Sequence, residues 1–205
     1  MNPMKNIKIE KITLNVGAGK DQGKIERGLK LLELITNVKP VKTITMKRVP
    51  TWGLRPNLPI GCKVTVRKDT NKLLKRLVYA KHNRLKESNF DNNGSISFGI
   101  HEYVEVEGLE YNHDIGMLGF EVSVTLQRPG YRIKKRSNKS KLGKNHKITK
   151  EEAIEFIKKE FDVKIGEEEW QQVIIKKCSN NLKQNQLKCK GFTNTTLQKK
   201  EVVQS

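Results

Sequence analysis

The segment Gly17-Ala18-Gly19-Lys20 invites a phosphate-loop reading. A P-loop cradles phosphates in backbone amides and follows its lysine with Ser or Thr, which holds magnesium. Here the spacing fails, because Leu14 stands where the first glycine belongs and Asp21 follows Lys20. The dinucleotide fingerprint fails as well, since its third glycine would come one residue before Gly23. What remains is a strand-to-helix turn whose backbone amides can touch a phosphate oxygen. The four histidines, His82, His101, His113 and His146, make neither H-x-x-x-H nor H-E-x-x-H. His101-Glu102 and His113-Asp114 read as exposed polar pairs. Cys62, Cys178 and Cys189 are odd in number and widely spaced, with no C-x-x-C. They predict reduced thiols, with Cys62 in a core, rather than a disulfide framework or a zinc site. No G-x-S-x-G elbow occurs. A Cys–His–acid triad needs only to meet in space, and spacing leaves it open, but nothing singles one out. The expectation is no enzyme, no cofactor and no metal.

The remaining chemistry is ionic. The chain carries 41 Lys and Arg against 22 Asp and Glu, a net charge of +19 over 205 residues. Small domains typically carry a net charge of about 2–8 in magnitude. A field this strong attracts polyanions, so nucleic acid is the leading partner class and an anionic membrane surface the weaker one. The excess is localised. Residues 1–68 hold 15 bases and 4 acids, and residues 69–86 hold 6 and 1. Residues 87–127 hold no base and 8 acids, whereas residues 128–150 hold 10 bases and no acid. Two basic blocks flanking an acidic one predict a defined orientation on RNA, with the acidic side turned elsewhere. No apolar run approaches a membrane span, and Met1–Lys5 leads into an alternating strand instead of a signal peptide, so a cytoplasmic protein is expected.

These charges must be positioned by secondary structure. Ile12, Leu14 and Val16 alternate with Lys11, Thr13, Asn15 and Gly17, the period of a half-buried strand. Ile7 and Ile9 are out of phase with that set, which predicts either a bulge or a strand start near Glu10. Further strands are expected over 41–46, 60–67, 95–100 and 119–126. Residues 24–36 and 71–85 read as helices, the second using Leu74, Leu77, Val78 and Leu85. Thr149-Lys150-Glu151-Glu152 is a capping box that opens a third helix with Ile154, Ile157 and Phe161 on its apolar face. One-sided strands with helices predict a two-layer α+β domain: an antiparallel or mixed sheet, helices on one face, and the other face open and basic. That domain is expected to span 1–166. Residues 167–205, rich in Asn, Gln and Lys, read as an appended helix and a largely disordered tail.

Two basic segments fall outside these elements. The proline-marked loop 47–58 carries Lys47, Arg48, Trp52 and Arg55. Trp52 is either an RNA probe or packs back on the sheet. The stretch from Arg132-Ile133-Lys134-Lys135-Arg136 to Lys150 has too few apolar residues to fold alone and is expected to order on rRNA, a nuclear-localisation or DNA-binding tail being the alternative.

The segments "IEKITLNVGAGK", "LLELITNVKPVKT", "PIGCKVTVR", "NRLKESNFD", "SISFGI", "EYNHDIGMLGFEVSVTLQRPGYRIKKR" and "KLGKNHKITKEEAIEFIKKEF" together resemble one family. It is the 5S-rRNA-binding protein of the large ribosomal subunit, ribosomal protein L-five, in its archaeal form. The resemblance spans about residues 4–165. It implies a structural protein of the central protuberance that binds 5S rRNA through the open sheet face and helps dock it to the large rRNA. The family's first-strand Asn falls on Asn15 and its third-strand Thr on Thr65; the usual Gln before Lys-Pro is Val38. Its tip loop, which approaches the peptidyl-site tRNA, falls on Lys47–Leu58, with the core Trp52-Gly53-Leu54-Arg55. The rRNA-binding set expected here is Lys11, Thr13, Asn15, Gly17, Gly19, Lys39, Lys42, Lys63, Thr65, Arg67, Arg132, Lys134, Lys135 and Arg136. Neighbouring large-subunit proteins are expected partners. A basic nucleic-acid-binding protein or an RNA-modifying enzyme outside the ribosome is the alternative.

Overall fold

Strand β1, Lys8–Gly17, lies at the centre of the molecule. The computed structural model describes residues 2–166. In it β1 is followed by helix α1 (Gln22–Thr36), β2 (Val41–Ile44), β3 (Pro59–Val66) and α2 (Thr70–Tyr79). Then come β4 (Arg84–Leu85), β5 (Ile96–Ile100), β6 (Phe120–Gln127), α3 (Lys150–Phe161) and β7 (Lys164–Ile165). The main sheet runs β2-β3-β1-β6-β5, with every neighbouring pair antiparallel. The predicted α+β architecture with an open sheet is therefore the one observed.

The alternation of each strand decides which face is covered. Ile12, Leu14 and Val16 on β1, Cys62 and Val64 on β3, and Val122, Val124 and Leu126 on β6 are all buried. Against them pack Leu31, Leu32 and Ile35 of α1, Leu74 and Leu77 of α2, and Ile157 of α3, in one continuous core. Each such aliphatic side chain contributes about 1.5–3 kcal/mol by leaving water. Helix α1 approaches the sheet closely at Gly28. A Cβ there would lie 2.8 Å from Cys62 Sγ and 3.1 Å from a Val16 methyl. Burial pushes the Cys62 thiol up to about 11, so it is a packing group and not a nucleophile.

Helix ends follow the expected signals. Asp21 caps α1 by accepting from the Lys24 amide, and the Thr149–Glu152 capping box opens α3. Of the two expectations near Glu10, the bulge is the one observed: the register against β6 shifts between Ile9 and Lys11, while the strand itself starts at Lys8.

Helix α2 differs from the expected 71–85: it ends at Tyr79. Continuing its apolar face past Val78 would bring Lys81 and His82 to the core. Instead His82 and Asn83 turn the chain with φ of 55° and 54°, a conformation no helix continues through. Leu85 is buried all the same, in β4, which pairs in parallel with β7. Strand β2 is also shorter than expected. It shifts register after Thr43, and the Thr45 hydroxyl donates to the Leu58 carbonyl at the base of the loop. The expected C-terminal helix and tail, with Cys178 and Cys189, lie outside the described residues.

Gly28→Ala is expected to cost about 1–3 kcal/mol through overpacking against Cys62 and Val16. Gly17→Ala, where a Cβ meets nothing within 4 Å, should change stability by less than about 0.5 kcal/mol. Urea unfolding of the two variants measures both.

Candidate nucleic-acid interface

Register places positions of all five strands in rows across the uncovered face. One row reads Val41, Lys63, Asn15, Glu121 and Gly99. The next reads Thr65, Thr13, Ser123 and Ser97, and Lys11 pairs with Thr125 beyond it. Gly17 pairs with Gly61 at the other end. Lys63 is exposed and Thr13, Asn15 and Thr65 are half-buried, so hydroxyls and an amide form the floor while ammonium groups rise above it. Arg67 continues from β3 and is exposed. Lys39 is exposed just before β2.

Lys42 belongs to the other face, because it pairs with core-facing Cys62. It is exposed only because β2 is an edge strand. Val38 is 43% exposed, so the residue standing in for Gln presents methyl groups to solvent. Gly19 adopts φ 64°, but the Ala18 and Gly19 amides both donate to the Ile60 carbonyl, at 3.0 and 3.1 Å. Those two amides are therefore committed to the fold, and the phosphate contact expected of them is not available.

Glu121 is a site residue that the sequence alone does not single out. Asn15 Nδ2 donates to Glu121 Oε2 at 3.1 Å. A carboxylate only accepts, so it must face the amide nitrogen. The orientation of Asn15 is thereby set, and its carbonyl oxygen is left for a donor arriving from outside. Alternation places Glu121 on this face; only the register of β6 puts it beside Asn15.

The loop 47–58 is ordered by a small bridge. The Val49 and Leu54 amides each donate to the other's carbonyl, at 3.1 and 3.0 Å, around a 3-10 turn at Pro50–Trp52. Leu54 is buried and anchors the loop, whereas Trp52 is 68% exposed. The alternative in which Trp52 packs back on the sheet is thus excluded. Gly53 has φ 60°, and a Cβ there would collide with the end of the Lys20 side chain. The Lys20 ammonium therefore lies against the loop at Gly53, and the same loop carries exposed Lys47, Arg48 and Arg55.

The second basic segment is clasped to the domain at both ends. Arg128, only 6% exposed, donates to Glu152 Oε1 at 2.8 Å and reaches the His146 and Lys147 carbonyls. The Tyr131 hydroxyl accepts from the Ile148 amide at 3.0 Å and donates to the His146 carbonyl at 3.1 Å. His146 Nε2 lies 2.8 Å from the Pro129 carbonyl, which only accepts, so this nitrogen carries the proton. Few apolar residues are needed because the clasp is polar. Between its ends Arg132, Lys134, Lys135 and Arg136 are exposed, and Lys135 pairs with Glu10 at the β1 bulge. The acidic connection between β5 and β6 lies over the helices: Lys30 of α1 pairs with Asp114, and Arg76 of α2 donates to the Glu107 carbonyl. Those contacts hold the connection against the helices; Glu121, in β6, is the acid that lies on the open face.

The sequence matches two adjoining family models, Ribosomal protein L5 over residues 2–55 and the C-terminus of the same ribosomal family over residues 59–165. The chain belongs to the ribosomal protein L5 family. Among its L5 relatives is the large ribosomal subunit protein uL5 of Sulfurisphaera tokodaii, 41% identical over 82% of this chain and 96% of that protein. That of Nanoarchaeum equitans is 44% identical over 80% and 98%, and that of Nitrosopumilus maritimus 45% identical over 80% and 96%. As an L5 protein the chain is a component of the large ribosomal subunit and not an enzyme, and the relatives named are archaeal. No helix among the described residues is long and apolar enough to cross a membrane.

The Glu152 end of the clasp is sensitive to pH. Partial burial pushes the Glu152 carboxyl up, but hydrogen bonds from the Thr149 backbone and Arg128 outweigh this and hold its pKa below the usual carboxylate range. A folded-state pKa below the unfolded one stabilises above the usual carboxylate pKa and is lost as pH falls through the folded value. Glu152→Gln should lower stability by about 1–2 kcal/mol at pH 7, a half-exposed partner falling at the low end for charged hydrogen bonds. The difference from the parent should shrink toward pH 3; denaturant unfolding at both pH values measures it.

Proposed function

We propose that this L5 protein binds 5S rRNA with its open sheet face and helps attach it to the large-subunit rRNA in the central protuberance. Loop 47–58, with Trp52 and Arg55 projecting, is directed at the peptidyl-site tRNA, and neighbouring large-subunit proteins meet other surfaces. The observation that carries the reading is the continuous polar floor of Lys63, Asn15, Thr13 and Thr65, bounded by Lys39 and Arg67 on one side and the clasped segment Arg132–Arg136 on the other. Lysines and arginines supply a salt-dependent attraction to phosphates that ignores sequence and sugar. The hydroxyls and the fixed Asn15 amide supply direction. The Asn15 carbonyl, turned outward by Glu121, suits a hydrogen-bond donor such as a ribose 2′-hydroxyl, the group that separates RNA from DNA.

Gel shifts of the full chain on 5S rRNA and on an unrelated RNA, over rising salt, test the assignment. Preferential binding to 5S rRNA is expected, and equal affinity would end it. Lys63→Ala with Arg67→Ala should make the slope of log affinity against log salt shallower by about 1.4–1.8, one counterion contribution per charge. An unchanged slope moves the site off the sheet. Glu121→Ala should instead reduce the preference for 5S rRNA over DNA of the same sequence by about threefold to tenfold, the worth of one hydrogen bond. The ratio, and not the affinity, is the readout, because removing an acid raises affinity for both.

A further inference from the structure

At the bulged end of β1, opposite the end that meets loop 47–58, the open face dips into a groove. Its volume is about 460 Å³, and its walls include Glu10, Lys11, Asn93, Thr125, Lys134 and Lys139. Three features set it apart from the flat sheet. It is concave and within the volume range of small-ligand sites, about 300–1,000 Å³. Lys11, Lys134 and Lys139 have no carboxylate partner among the described residues, whereas Lys135 is neutralised by Glu10. Its remaining wall is neutral, with Ser95, the Thr125 hydroxyl and the half-buried Tyr131 ring, while Leu126 turns its side chain to the core.

We infer that this groove holds one unstacked nucleotide of a single-stranded RNA segment, in continuity with the RNA proposed to lie on the sheet. The inference rests on that reading. Phosphate is the complement of three unpaired ammonium groups, and a base needs what the neutral wall offers, an apolar surface beside hydrogen-bonding groups. The Asn93 amide donates to Asp91 at 3.1 Å, so its carbonyl oxygen is the atom left to accept from a base. The Glu10–Lys135 pair pins the basic segment to the bulge and so builds the wall that carries Lys134 and Lys139. A duplex cannot enter, because its bases are paired and stacked.

The test uses the full chain, a six-nucleotide single-stranded RNA and a six-base-pair RNA duplex, with fluorescence anisotropy as the readout. The parent should prefer the single strand. Lys134→Ala with Lys139→Ala, both exposed positions, should lose that preference by at least tenfold while thermal unfolding stays unchanged. Lys63→Ala with Arg67→Ala should weaken single strand and duplex alike. If the sheet variant weakens binding and the groove variant leaves the preference intact, the groove assignment is overturned and the sheet reading stands. If neither variant changes binding, both fall. Competition by inorganic phosphate as strong as by the oligonucleotide would make the groove a phosphate site, and equal binding of a six-residue glutamate peptide would make it a site for acidic protein; either overturns the nucleotide.

Discussion

The structure depends on β1 being hydrogen-bonded on both sides. Slipping it by one residue against either β3 or β6 would turn Ile12, Leu14 and Val16 out to water and bring Thr13 and Asn15 into the core. Each of those aliphatic side chains is almost completely buried, so the register is held by several kcal/mol. With the register held, everything on the other face follows. Lys63 and Glu121 must flank Asn15, and Thr65 and Ser123 must flank Thr13. The polar face is thus a consequence of the apolar one, and no interaction on the open side is needed to arrange it.

The same constraint explains what is legible in the sequence. Strands with one face buried write their alternation plainly: β3, β5 and β6 can be read to within a residue, and β1 from Lys11 to Gly17, its first three residues lying beyond the bulge. A break near Glu10 is legible because Ile9 and Ile12 cannot share a face in one regular strand, but only the register against β6 shows that it is a bulge and not the strand start. Helix α2 reads too long because Leu85 lies seven residues after Val78, close to two helical turns. The cue that ends the helix is the polar pair Lys81-His82 at core-facing positions. Lys42 resembles its neighbour Lys39, but its face is set by pairing with Cys62, which composition does not record. The Asn15–Glu121 contact joins residues 106 apart and is invisible without the register.

The basic segment after β6 shows a different kind of illegibility. Counting apolar residues makes it a stretch without means to fold. What holds it is a buried guanidinium, a tyrosine hydroxyl and a histidine ring satisfying backbone carbonyls and one carboxylate. Such a clasp orders only its own ends. Between them Lys135 is paired with Glu10, but Arg132, Lys134 and Arg136 stay exposed without a carboxylate partner among the described residues. That leaves a segment positioned by the domain yet still in need of anions.

An acid at the centre of a face proposed to bind RNA looks costly, since Glu121 would repel the phosphates that Lys63 would attract. The cost has a counterpart. Ionic contacts to phosphate are blind to sugar and base, so a face made only of lysines would hold any polyanion. Discrimination needs groups whose donor and acceptor sides are fixed. Asparagine has both on one flat amide and can present either, which makes a free Asn a poor reader. Glu121 removes that freedom, because a carboxylate can only accept and therefore consumes the Asn15 donor. The carboxylate lowers affinity for every polyanion by the same factor and leaves one acceptor aimed at whatever approaches. In a chain with a net charge of +19, attraction to polyanions is plentiful and fixed polarity is scarce, so on the proposed reading the acid beside the amide would cost a small part of the attraction and supply the direction that lysines lack.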